Sequence, residues 1–104
     1  MTRKYRVEIA ITAENDIKSI FEHINNNNPR AATKWANEIE GQVSSLEQFP
    51  ERCPVIPESE ELGREYRQLI YGNYRTIFRL EGLTVLILRV IHGAQLLDLR
   101  IFGK

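Results

Sequence analysis

The chain has 104 residues, a single cysteine, a single tryptophan and no net charge. Each of these scarcities excludes something. A lone Cys53 cannot close an internal disulfide, which fits a reducing compartment. No apolar run approaches the roughly 20 residues that a membrane-spanning helix needs. No apolar segment follows Thr2, Arg3 and Lys4 as it would in a signal peptide. The expected location is therefore cytoplasmic, with no membrane partner. The sequence also lacks a phosphate-binding glycine loop, a dinucleotide fingerprint and zinc-ligand spacing, so no metal and no cofactor is expected. Cys53 with the distant His23 and His92 does not make the pattern of a thiol protease. Glu38/Glu40 and Glu60/Glu61 are explained by a solvated helix face and a loop, and neither is read as a catalytic pair.

What is present suits one domain over residues 1–104, large enough to fold alone. The zero balance hides an asymmetry. Residues 1–63 hold seven basic and eleven acidic side chains, and residues 64–104 hold seven and three. Either the two halves neutralise each other across the fold or the surface is electrically polar. Neither case predicts strong nonspecific binding to nucleic acid.

Tyr5, Val7, Ile9 and Ile11 alternate with Arg6, Glu8 and Ala10, the pattern of a half-buried strand. Thr12 is the expected helix cap, with Glu14 and Asp16 in the first turn. Ala13, Ile17, Ile20, Phe21 and Ile24 fall on one helical face. The asparagines at 25–28 end that helix. Asn28 and Pro29 then cap and open a second helix, which runs to about Leu46 with an apolar stripe of Ala32, Trp35, Ala36, Ile39, Val43 and Leu46. The short turn between the two predicts an antiparallel hairpin. Pro50, Pro54 and Pro57 make residues 50–63 a stiffened connector.

Three strands follow. Gly72-Asn73 is a two-residue hairpin signal. Residues 83–91 are nearly all apolar, as in a central strand covered on both faces. Leu96, Leu97, Leu99, Ile101 and Phe102 leave the tail open between a helix, an edge strand and a docked extension. The predicted class is α+β, in the order β-α-α-β-β-β. The helix hairpin packs on one face of a twisted antiparallel sheet.

The strands carry Arg64, Arg67, Arg75, Arg79 and Arg89, with His92 at their end. Alternation sends Arg75, Ile77 and Arg79 one way and Thr76, Phe78 and Leu80 the other. If the second set faces the helices, Arg75 and Arg79 lie on the open face, where Arg67, Tyr71 and Arg89 can join them. Such a group can bind phosphate. It can equally hold Glu65 and Glu81 in cross-strand pairs, which strand physics favours. His92 can act as a general acid or base, or simply as a hydrogen-bonded structural residue. Trp35 and Tyr74 read as helix–sheet contacts.

The chain resembles the toxins of the RelE/ParE superfamily, from bacterial type II toxin–antitoxin systems. The likeness runs from Tyr5-Arg6-Val7-Glu8-Ile9 and Thr12-Ala13-Glu14-Asn15-Asp16-Ile17, through Asn28-Pro29-Arg30-Ala31-Ala32 and Leu46-Glu47-Gln48-Phe49-Pro50. It continues in Arg67-Gln68-Leu69, Gly72-Asn73-Tyr74-Arg75-Thr76-Ile77-Phe78 and Leu88-Arg89-Val90-Ile91-His92-Gly93. Order and spacing together point to the ParE-type, plasmid-stabilisation branch.

The resemblance implies a toxin held inactive by a cognate antitoxin in a hetero-oligomer. ParE-type members inhibit DNA gyrase, which would be done by protein contact. Candidates here are Arg75, Arg79, Arg89, His92 and Gln95. RelE-type members cut mRNA on the ribosome, which would put Arg67, Arg75, Arg79 and His92 in catalytic roles. Only Arg75 matches a RelE-type arginine in its Gly-x-Tyr-Arg setting. The position after the last strand holds Gln95, which is not basic, and the connector lacks the catalytic lysines. An inert member that only binds its antitoxin is the third reading. The antitoxin would add a strand or helix at the helix hairpin and the sheet edge, with Ile20, Phe21, Ile24, Trp35 and Ile39 as candidates.

Overall fold

A four-residue strand, Arg6–Ile9 (β1), turns directly into a helix, Ile11–Asn27 (α1), and then a second, Pro29–Ser45 (α2). The structure, a computed structural model, describes residues 4–93. Asn28 sits between the helices as expected, and its Oδ1 accepts from the Ala31 amide at 3.2 Å. Pro29 opens α2, where its missing N–H costs nothing. The start of α1 differs from expectation. The helix begins at Ile11, with Ala10 at the cap position and no side-chain cap. Thr12 is instead inside the first turn, and its hydroxyl donates to the Leu88 carbonyl at 2.8 Å. The asparagine run also stays helical through Asn27.

The connector contains a 3-10 turn at Pro50–Arg52 and a one-turn helix, Ser59–Leu62 (α3). Before the turn, Phe49 takes a left-handed φ of 53°, unusual for a bulky residue. Arg52 holds that corner, donating to the carbonyls of Gln48 and Phe49 and to Ser45 Oγ. Three strands follow, Arg67–Tyr71 (β2), Tyr74–Glu81 (β3) and Thr84–His92 (β4). Tyr71 pairs with Tyr74 and Glu81 with Thr84, so each link is a two-residue turn opened by a glycine at positive φ, Gly72 and Gly82.

The sheet order is β1-β4-β3-β2. Three strands form the expected antiparallel meander. β1, however, pairs parallel to β4, Arg6 with Thr84 through Ile9 with Ile87. The sheet is thus mostly antiparallel with one parallel edge strand. β4 is central, as its apolar run implied.

Both faces of the sheet are covered. On the helix side, Trp35, Ile39 and Val43 of α2, with Leu46 just past its end, pack with Ala13, Phe78, Val85, Ile87 and Val90. The apolar stripe of α1 (Ile17, Ile20, Phe21, Ile24) is half-buried against this core. The other face, expected to be open at Arg75 and Arg79 but covered over the last strand, is largely closed. The connector folds over it, and Ile56 and Tyr66 close a second cluster on Ile77 and Ile91, flanked by Leu62 and Leu88. No described helix is long and apolar enough to cross a membrane.

β1 reaches only to Ile87, whereas β4 runs on to His92. Beyond that point, α1 takes the place of the missing strand. The Ala10 amide donates to Ile87 O, Thr12 donates to Leu88 O, and Asp16 Oδ2 accepts the Val90 amide at 2.9 Å. A bulge lies here, since Ile77 pairs with Arg89 but Phe78 pairs with Ile87. Such a bulge re-aims nearby side chains. Arg89 grips Asp16 at 2.6 and 2.9 Å through Nε and Nη2, and both side chains are over four-fifths buried.

Two contrasting outcomes are expected in chemical denaturation. Asp16→Ala removes the carboxylate from a buried guanidinium and leaves the Val90 amide unpaired, and should cost about 3 kcal/mol. Glu81→Ala breaks the exposed pair with Arg79 and should cost under about 1 kcal/mol. Equal losses would contradict the assignment of the Asp16–Arg89 pair as the structural one.

Candidate functional site

The hairpin turn of β2 and β3, the end of β4 and the connector meet around a cleft of about 510 Å³. Alternation brings Gln68 and Ile70 of β2 and Arg75 of β3 to the same sheet face. The pairs Gln68–Ile77 and Ile70–Arg75 fix them there. His92 enters from β4, opposite Tyr74. Pro57 and Glu58 form the connector side. Gly93 completes the rim. Its amide bonds Asn73 O, and a Cβ placed on it would sit 3.2 Å from that oxygen, so only glycine fits without a shift.

Arg75 is the charged centre of this cleft. Its Nε donates to Gln68 Oε1 at 2.7 Å. Its two terminal nitrogens face Glu58, at 3.4 and 3.2 Å. Burial alone would raise the Glu58 pKa. The hydrogen bonds from Arg75 and from its own backbone, with the charge of Arg75, outweigh burial and hold that carboxyl below the usual range. His92 stands at the cleft's rim against Tyr74, ring centroids 5.5 Å apart and edge to face. Tyr74 meets Trp35 in the same way at 5.5 Å. An aromatic line therefore connects the α2 core to the cleft.

The other expected arginines do not gather here. Arg67 pairs in register with Phe78, which places it on the helix side rather than the far face. It donates to the Cys53 carbonyl at 2.6 Å and lies 3.2 Å from Glu65. Tyr71 likewise packs toward the helices. Arg79 is on the far face but at the other end of the sheet, paired with Glu81. Arg89 is held by Asp16. Gln95 lies outside the described residues. Among the described target-contacting candidates, Arg75 and His92 line the cleft, Arg75 from the far face and His92, in register with Tyr74, from the helix face, and they do so with Gln68 and Glu58, which sequence reasoning did not single out. A connector carboxylate facing a strand arginine has no sequence signal, since nothing local dictates which one meets it.

The candidates for antitoxin contact also separate. Trp35 and Ile39 are core residues, 6% and 2% exposed. Ile20, Phe21 and Ile24 are half-buried against that core. More apolar surface is accessible at the outer edge of β1. There Val7 and Ile9 with Ala36 and Val43 of α2 line a groove of about 490 Å³, whose floor includes Ile39. Cys53 is buried, and burial pushes its thiol pKa up against the pull of Arg52 and Arg67, so it is a poor nucleophile.

The Glu58 shift sets an acid dependence. Because its folded pKa is depressed, its contribution is fully present above the ordinary carboxyl value of 4.5 and is lost as pH falls through the folded value. Stability measured between pH 6 and about pH 3 should therefore fall less steeply in Glu58→Gln than in the native chain. Parallel curves would show that the Arg75–Glu58 contact adds nothing to the fold.

Similarity to known proteins agrees with this architecture. The chromosomal ParDE TA system from P. aeruginosa shares the fold with a TM-score of 0.68 at 22% identity, over 86% of this chain and 97% of that one. The toxin–antitoxin complex RelBE2 from Mycobacterium tuberculosis matches with a TM-score of 0.58 at 27% identity, over 88% and 94%. Among curated proteins none matches. The profile of the family described as "ParE toxin of type II toxin-antitoxin system, parDE" matches residues 7–97, nearly the whole chain. With the β-α-α-β-β-β order and the single parallel edge strand in place, the chain belongs to the ParE toxin family of type II toxin–antitoxin systems.

Proposed function

We propose that this toxin arrests replication by binding DNA gyrase, without chemistry of its own, and that a cognate antitoxin neutralises it in a hetero-oligomer. The state of the arginines carries the choice of target. Arg67, Arg75, Arg79 and Arg89 each face a carboxylate of this chain. A nuclease must direct cations at the phosphate whose charge develops in the transition state. Here each of these guanidiniums would first have to leave a carboxylate. A protein target need not draw on all of them. Membership of the ParE family supports the same side.

A second reading has one observation behind it. Arg75 and His92 share a cleft, as a cation and an acid–base group would in an mRNA endonuclease. Purified gyrase separates the two. Supercoiling should fall as the toxin is added and recover with antitoxin. Unchanged supercoiling, together with cleaved transcripts on toxin-treated ribosomes, would favour the endonuclease.

The solved relatives named for ParDE and RelBE2 support an antitoxin partner. We place its contact in the groove between β1 and α2. In a parallel ladder alternate residues bond inward, and here Arg6 and Ala10 do so. Val7 and Ile9 therefore turn their backbone groups to the outer edge, ready for an added strand. Ile9→Asp, at a position 39% exposed, should weaken antitoxin binding at least about tenfold. Glu22→Gln, on the exposed face of α1, should not. Calorimetric titration of each variant with antitoxin checks this, and equal affinities would move the contact elsewhere.

A further inference from the structure

Among the described residues, the pairs Asp16–Arg89 and Glu58–Arg75 link the acidic first part of the chain to the strands, and they are built differently. Asp16 meets Arg89 at 2.6 and 2.9 Å and also accepts a strand amide, so three bonds fix one carboxylate between two packed elements. Glu58 meets Arg75 at 3.4 and 3.2 Å. Charge-assisted bonds normally run at about 2.7–2.9 Å, so this pair is loose. Its carboxylate has a second difference. Glu58 belongs to the connector, at the cap position of the four-residue α3, where its side chain caps nothing. A change of side-chain rotamer would release it without moving a strand.

The cationic side is fixed by contrast. Arg75 lies on β3, between β2 and β4, and Gln68 clamps its Nε at 2.7 Å. Its two terminal nitrogens point toward Glu58 at the wall of the 510 Å³ cleft. An anion entering the cleft would find a preset two-pronged donor whose present occupant is weakly held. The neighbouring surface is apolar, since Ile70 beside Arg75 is 58% exposed.

We propose that Glu58 stands in for an acidic side chain of a protein partner. The partner's carboxylate takes Glu58's place on Arg75, and Ile70 packs against the residues that flank it. The proposal deepens the protein-contact reading above and rests on it for the class of partner. A protein carboxylate fits better than a nucleic-acid backbone for two reasons. The site offers one guanidinium already shaped around a carboxylate. The other strand arginines are engaged away from the cleft, so a run of phosphates would find no second such cation among the described arginines of β2, β3 and β4. Glu58 then acts as a built-in competitor that keeps Arg75 satisfied until the right surface docks. A competitor of this kind lowers affinity for every anion and spares most the partner that also covers Ile70.

The test uses the full chain labelled with ¹⁵N. The Arg75 Nε–Hε and Gly93 amide resonances are followed during titration with glutarate and, separately, inorganic pyrophosphate. Glu58→Gln should bind glutarate about tenfold more tightly than the native chain, because the internal competitor has lost its charge. Glu58→Asp keeps the charge but shortens its reach, and should fall between the two. Arg75→Gln should show no saturable shift at Gly93. Equal glutarate affinity in the native chain and both Glu58 variants would overturn the exchange. So would retained binding in Arg75→Gln. Pyrophosphate binding far more tightly than glutarate in Glu58→Gln would overturn the assignment to an acidic protein and favour a phosphate ligand. Gyrase is absent from this experiment, so the exchange can fail while gyrase inhibition stands, and the reverse.

Discussion

Asp16 holds the architecture together. The central strand β4 outruns its parallel neighbour β1 by several residues, and a bare strand edge would otherwise run beneath the helix hairpin. Asp16 closes that edge by accepting the Val90 amide, while Arg89 folds onto the same carboxylate. Thr12 completes the seal one turn earlier. The contact fixes the height and rotation of α1. α2 packs against α1, and Trp35 of α2 meets Tyr74, which meets His92. The cleft is thus positioned by an ion pair that takes no part in it. With α1 starting at Ile11, Asp16 lies beyond the first turn, where Glu14 is the carboxylate that the helix dipole favours, and its role is to bind β4.

Much of the architecture was legible because local rules agree with it. The stripe from Ala32 to Leu46, the Asn28–Pro29 junction and the Gly72 turn each have a local physical cause, and each forms as read. The continuous apolar run of the last strand identified the centre of the sheet. What was not legible depends on contacts distant in sequence. Nothing in Tyr5–Ile9 says that its partner is β4 and that the pairing is parallel. Nothing in the connector says that Ile56 folds over the second face of the sheet. Strand alternation put Arg75 and Arg79 on one face, but it could not show that Glu58 of the connector meets Arg75 there. Arg67 went to the other face through the β2–β3 register, which a single sequence does not reveal.

The uneven charge of the two halves has a structural meaning. Asp16 and Glu58, from the acidic part, face Arg89 and Arg75 in the basic part, so folding brings much of the imbalance together. The strand arginines that suggested a phosphate-binding face are largely internal counter-ions. That shifts the reading from nucleic acid toward protein recognition. It also divides the surface by task. The β1–α2 groove is apolar with an open strand edge, suited to a segment that adds a strand. The Arg75 cleft centres on one loosely self-occupied guanidinium beside exposed Ile70, suited to a partner that exchanges one carboxylate for another.

We have proposed that this ParE-family toxin acts on gyrase by contact rather than on mRNA by cleavage. Pulse-labelling of DNA and protein synthesis in cells, after induction of the toxin without its antitoxin, tests it most directly. The account predicts an early fall in DNA synthesis while translation continues. An early fall in translation with DNA synthesis sustained would contradict it.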